Sequence, residues 1–281
     1  MTGPIEERGV MKCPDATRCK PRERVCSVVG RPRDLDVLES LAWAGILTTS
    51  QVARLHFPSR RTAERRLRAL LDHGLVRSCL QNEHLHRDSV HLLTPHGAGH
   101  LAEERRLNQK TVRPGRVPRP QKLRHALAVR DVFVAFVLAG RMGAFELQDF
   151  AFDDDLARLP AFKERHIVPD GLSLVRAGGR ALAIAIEVDL GSETTTTLRK
   201  KFESYRAIKT VPVAGVDAGV RLLVVVERPA RMKTVRRLLE EEQVGAWTAL
   251  SAELEQQLSE LLGPKPDLED PHAFLPLMGV V

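Results

Sequence analysis

Apolar residues recur at helical spacing from Leu35 to Leu71, and the spacing then changes. Leu35, Leu38, Leu41 and Ala42 define one face of a helix that Gly45 ends, with Asp34 placed to cap or charge its start. In ILTTSQVARLHFP, Thr49 or Ser50 is expected to cap a short helix carrying Val52, Ala53 and Leu55, which stops before Pro58. SRRTAERRLRALLDHG predicts a third helix, with Ser59 as cap, Ala63, Leu67, Leu70 and Leu71 apolar, and Gly74 closing it. LVRSCL and VHLLTPHG read as two short strands around the polar stretch QNEHLHRDS, and residues 95–107 as a further helix. Three helices followed by a hairpin predict a winged helix-turn-helix over residues 32–107, whose third helix enters the major groove of DNA.

Residues 1–31 mix Pro, Gly, Arg and Lys without period and read as a flexible basic arm. Residues 108–122, NQKTVRPGRVPRPQK, form a basic, proline-rich linker. A second pattern then runs over 123–262. An apolar helix ends near Gly140, ELQDFAF alternates like a strand before the acidic turn Asp153 to Asp155, and strands follow around Val168 to Val175 and Ala181 to Asp189. A helix over about 193–209 precedes VRLLVVVE, whose unbroken apolar run suits a strand buried on both faces. A helix from Pro229, a strand over 246–250 and a helix over 251–262 complete the domain, and prolines make 263–281 an irregular tail. The fold class is therefore α+β and multidomain, with a mixed α/β second domain.

Charge changes this picture by locating the polar partner. The chain of 281 residues carries a net +7, but residues 1–124 hold 24 basic against 13 acidic side chains, +11, while 125–281 hold 19 against 23, −4. The basic surface belongs to the N-terminal part and fits a polyanion. Arg60, Arg61, Arg65, Arg66 and Arg68 on the third helix, with Arg77 and Arg87 on the hairpin, are the candidate DNA contacts. Aromatic content of 4% argues against a single-strand stacking platform and leaves double-stranded DNA as the partner. Cys13, Cys19 and Cys26 match no common zinc spacing, and His84, His86 and His91 read as exposed wing residues or phosphate contacts. The absence of a long apolar run or signal-like start gives the expectation of a cytoplasmic protein with no membrane partner.

The candidate chemistry lies in RHIVPDGLSLVRAGGRALAIAIEVDLGSETTTTLRKKFESYRAIK, residues 165–209. Asp170 follows a proline, and Glu187 and Asp189 close a strand. Two acids converging there could hold a divalent cation. The order helix, three strands, helix, strand, with Pro169-Asp170 and Glu187-Val188-Asp189, resembles the PD-(D/E)xK (restriction-endonuclease-like) core. That resemblance implies Asp170 and Glu187 as Mg2+ ligands, with Asp131 on the opening helix as a further acid. It also implies a lysine two positions after the glutamate, where this chain has Asp189. Lys201 is the candidate for a relocated catalytic cation, on the flank of a helix whose buried face is Leu198, Phe202, Tyr205 and Ile208. The alternative is structural: strand-end acids capped by N–H groups or paired with arginines.

The whole pattern, with RHALAVRDVF at 124–133, PDGLSLV at 169–175 and IEVDLGSET followed by LRKKFESY, also resembles bacterial replication-relaxation proteins. This resemblance implies a plasmid or mobile-element context, nucleoid or plasmid association, and replication or mobile-element proteins as partners. Two functions follow. One is a double-stranded DNA-binding regulator of replication or transcription, a homodimer by analogy with winged helices on palindromic sites, whose nuclease-like domain lacks activity. The other is a Mg2+-dependent endonuclease targeted by its winged helix, with Asp189 and Lys201 in catalytic positions.

Overall fold

A computed structural model describes residues 31–79, 88–108, 110–152, 156–213 and 216–263. The arm up to Gly30, His84, His86, Arg87, the turn Asp153 to Asp155 and the tail from Pro264 lie outside the described residues. The chain divides into two compact units, residues 1–117 and 118–281.

In the first unit, α1 (Pro32–Ala44), β1 (Leu47–Thr48), α2 (Thr49–His56), α3 (Arg60–Asp72), β2 (Val76–Cys79), β3 (Val90–Leu93) and α4 (Pro95–Glu104) follow in order. The three strands form an antiparallel sheet in the order β1-β3-β2. β1 was not legible as a strand because it has only two residues. The α2 cap falls one residue earlier than expected. Thr48 Oγ1 accepts from Gln51 N while Gln51 Oε1 accepts from Thr48 N, a reciprocal capping box. Ser59 caps α3 as its position suggested.

The core of this unit joins Leu38 and Leu41 of α1, Val52 of α2, Leu67 and Leu70 of α3, and Leu92 of β3, each at most 2% exposed. The basic segment after α4 is partly attached to this unit. Val112 is buried, Gly115 N donates to Leu93 O at 3.0 Å, and helix resumes at Pro120. A Cβ at Gly115 would stand 2.2 Å from Gly45 O, and one at Gly97 2.0 Å from Leu75 O, so both glycines are required by close backbone approach.

The second unit opens with α5 (Pro120–Arg141), then β4 (Glu146–Phe152), a one-turn α6 (Pro160–Lys163), β5 (Gly171–Ala177) and β6 (Arg180–Asp189). It continues with α7 (Thr195–Arg206), β7 (Thr210–Val213), β8 (Val216–Val226), α8 (Pro229–Glu241), β9 (Ala246–Leu250) and α9 (Leu254–Leu262). β4, β5 and β6 form an antiparallel meander, and β8 joins β6 in parallel, so the sheet is mixed. β7 and β9 both pair with β8. α6 and β7 were not foreseen; each is only four residues long, too short to show a period.

Period two along β6 divides its side chains between two faces. Ala183 and Ala185 lie in one cluster with Leu198, Phe202 and Tyr205 of α7 and Val235 and Leu238 of α8. On the opening side, Phe133 and Phe136 of α5 meet Phe150 of β4 edge to face, at ring distances of 5.3 and 5.8 Å. The same alternation carries Glu187 and Asp189 onto the Ala183 face, beneath those two helices.

Candidate functional site

On α3 the apolar residues Ala63, Leu67 and Leu70 are buried, and Arg61, Arg65 and Arg68 stand on the opposite side, all exposed. At about 100° per residue these three arginines form one stripe. Among the described residues none of the three makes an ion pair, so the stripe is open to an anionic partner. Arg77 on β2 is also exposed, with Nη2 3.4 Å from Gly115 O.

Two neighbours on α3 differ from expectation. Arg66 is not a surface cation: it forms a two-pronged ion pair with Asp34 of α1, the side chains being 12% and 2% exposed. On the helical wheel Arg66 falls about 40° from Leu70, on the inward side. Asp34 is thus a buried partner in the first turn rather than a cap. Arg60 is exposed but engaged. It bonds Glu64 Oε1 at 2.9 Å, Ser50 Oγ at 2.8 Å and Asp88 Oδ1 at 3.0 Å. Arg87 lies outside the described residues.

His91 is also corrected. It is 4% exposed on β3, its Nε2 stands 2.9 Å from Thr49 Oγ1, and burial pushes its pKa down to about 4. It is a neutral core histidine and is not available to a phosphate.

In the second unit, the strand-end acids are brought together, but each is already satisfied. Glu187 is 4% exposed, and its oxygens accept from Tyr205 Oη at 2.7 Å and Lys201 Nζ at 2.8 Å. Lys201 also donates to Glu193 Oε1 at 2.8 Å. Asp189, likewise 4% exposed, accepts from Gly191 N at 2.8 Å and from Arg231 Nε of α8, while Arg231 Nη2 donates to Glu193 O at 2.7 Å. Asp170 Oδ2 accepts from Val188 N at 2.8 Å and lies 3.3 Å from His125 Nε2, which also stands 3.0 Å from Val188 O.

The charges explain one another. Burial, and then the charge of Asp170, push the Glu187 carboxyl up to about 7, while Lys201 and Tyr205 pull it back. Burial opposes the charged form of Lys201, but Glu187 and Glu193 outweigh it and hold the ammonium protonated. Burial and the adjacent Glu187 raise the Tyr205 hydroxyl, so it stays a donor. Hydrogen bonding to Asp170 raises His125 against the effect of its burial.

This arrangement does not fit a magnesium ion. The ion needs open oxygen ligands; both oxygens of Glu187 and both of Asp189 are taken by N–H and O–H donors. Among the described residues no group of three His, Cys, Asp or Glu side chains could hold a metal. Asp131, expected as a third acid, is exposed on α5 and borders a separate cleft of about 70 Å³ with Leu190 and Glu227. Lys201 meets Glu187, as its helical angle implied, but as an internal counter-ion rather than a free catalytic cation. Asp189, which stands where the resemblance implies a lysine, serves as the acceptor for Arg231 of α8.

Sequence reasoning missed His125 and Arg231. His125 lies within the quoted segment RHALAVRDVF, and its position near the start of α5 could have placed it at the strand ends. Arg231 is three residues into a helix that follows the parallel strand β8, where a basic side chain faces the end of β6.

These features define a two-unit chain: an arginine-striped helix backed by a small sheet, and a mixed-sheet unit whose acidic cluster is neutralised from within. The chain belongs to the replication-relaxation family, whose sequence profile matches residues 38–216. No curated protein matches it. Among solved structures it is similar to restriction endonuclease FokI bound to DNA, with 11% identity, a TM-score of 0.28, and coverage of 81% of this chain. The chain spans 44% of the length of that structure's chain. Among the described residues no helix is long and apolar enough to cross a membrane.

Proposed function

We propose that this protein binds double-stranded DNA through its first unit, read as a winged helix-turn-helix, and regulates replication or transcription on a plasmid or other mobile element. The observation that carries the reading is the stripe of Arg61, Arg65 and Arg68, exposed on the face of α3 opposite its core and without an ion pair among the described residues. Such a stripe is what a recognition helix presents to phosphates and base edges, and β2 and β3 stand where a wing would touch the backbone. Family membership supports the replication context. A cytoplasmic homodimer on a two-fold site is the assembly this reading implies.

The second unit we read as a PD-(D/E)xK-like scaffold kept for assembly or partner binding, without hydrolysis. Its helix, antiparallel meander, helix and parallel strand follow that order. The donors from Lys201, Tyr205 and Arg231 stand in place of a metal ion. Cutting would require two buried carboxylates to exchange these partners for an ion.

Fluorescence-anisotropy titration of duplex DNA at several salt concentrations tests the reading. Each phosphate contact contributes about 0.9 to the slope of log affinity on log salt. Arg61→Ala with Arg65→Ala should lower that slope by roughly 2 and weaken binding. An unchanged slope and affinity would remove α3 from the interface. Incubating plasmid DNA with magnesium or manganese tests the second half: cleavage abolished by Asp170→Ala would restore the endonuclease reading.

A further inference from the structure

We propose that a basic cleft at the starting ends of β6 and β8 binds a nucleoside phosphate. The cleft has a volume of about 370 Å³, with the half-buried Leu182 and Val220 and the buried Ile208, Leu222 and Val244 in its apolar lining. Arg206, Lys209 and Arg221 are its charged lining residues, and among the described residues no carboxylate lines it. Three cations gathered in a concave, partly apolar site without an acid repel one another unless an anion is present.

Arg206 Nη1 lies 3.4 Å from Glu242 O and completes the C-terminus of α8. Among the described residues Lys209 and Arg221 make no ion pair. Arg221 stands on a strand, so compensation of a helix dipole does not account for it. The acidic cluster is at the other end of the sheet: Leu182 pairs with Gly219 where the parallel ladder begins, and Asp189 with Val226 where it ends. Five residues of strand from Leu182 to Glu187 span about 16 Å, beyond a Debye length of about 8 Å at physiological salt.

The shape indicates what the anion carries. A Cβ at Gly245 would stand 3.4 Å from Arg221 Nη1, so the guanidinium lies against bare backbone, and Gly219 has open space where its side chain would be. Inorganic phosphate would use the cations and leave the apolar walls bare. A nucleoside phosphate uses both: phosphate on Lys209 and Arg221, and a flat base over Leu182, Val220 and the bare backbone of Gly219 and Gly245. A duplex backbone offers no apolar body to enter the cleft.

Calorimetric titration of the full chain with AMP, with adenosine and sodium phosphate in parallel arms, tests the assignment. AMP should bind saturably and more tightly than either fragment. Lys209→Ala and Arg221→Gln should each weaken it about tenfold, while Arg61→Ala with Arg65→Ala leaves it unchanged. Lys209 is exposed, so its variant keeps the fold, and a thermal melt checks the Arg221 variant. Absence of saturable AMP binding at millimolar concentration, equal binding of adenosine, or unaltered affinity in the Lys209 variant overturns the proposal. So does a short duplex that loses affinity in the Lys209 variant when AMP does not bind, an outcome that gives the cleft to nucleic-acid backbone.

Discussion

Replacing Arg231 by methionine separates the two meanings of Asp189. The side chains of Asp189 and Arg231 are 3% and 18% exposed, and the variant leaves the carboxylate with only the Gly191 N–H. Removing one partner of a buried pair costs about 3–5 kcal/mol because the remaining charge is desolvated and unmatched. Against a total stability of about 5–15 kcal/mol, that is a large loss. Asp189→Asn with Arg231→Met should recover most of it, since the amide carries no charge to strand. The chain has two tryptophans, Trp43 in the first unit and Trp247 on β9, so urea titration in a Trp43→Phe background reads the second unit alone. The structural reading requires a large single-variant loss, recovery in the double variant, and no effect of magnesium. If Arg231→Met costs less than about 1 kcal/mol, the pair is not the buried one described; if magnesium restores its stability, Asp189 is a metal ligand.

Two further outcomes follow from the first unit. Arg66→Ala should lower stability by about 3 kcal/mol through the stranded Asp34, whereas Arg65→Ala, one residue earlier, should leave stability within about 0.5 kcal/mol and, on the proposed DNA-binding reading, weaken only the affinity for duplex DNA; denaturant melts beside anisotropy titrations distinguish them. His91 has its pKa lowered from 6.5 to about 4, so its neutral form supports the fold fully above pH 6.5. As pH falls toward 4 the unfolded chain binds a proton that the folded chain refuses, and about 3 kcal/mol is lost. His91→Gln should flatten that part of the stability profile measured by urea titration, and an unchanged profile would assign the acid sensitivity to another group.

The elements that could be read from sequence are those long enough to repeat. α3 declares itself through Ala63, Leu67 and Leu70, and β6 through RALAIAIEVD followed by a helix. β1, β7 and α6 are too short to carry a period and exist because a neighbouring strand or turn holds them. The acids at 170, 187 and 189 were visible as a cluster, but their role was not, because it depends on which side chains descend from α7 and α8. Lys201 could be placed from its angle to Leu198 and Tyr205. Arg231 could not, since it comes from 42 positions beyond Asp189. Arg66 was legible in principle: summing charge along α3 hides it, whereas the wheel puts it beside Leu70.

The junction at Thr48 has a consequence for how this protein can vary. Thr48 pairs with Val90 and caps α2, Thr49 N donates to Ser89 O, and Ser50 N donates to Asp88 Oδ2, while Arg60 holds the other oxygen of that carboxylate, Oδ1. Three consecutive residues are therefore stitched to three others in antiparallel order, and the start of β3 is fixed to α2 whatever precedes Asp88. Residues inserted or deleted between Cys79 and Asp88 leave that seam intact. Changes of length and charge between those two positions can therefore accumulate without rebuilding α2 or moving the start of β3.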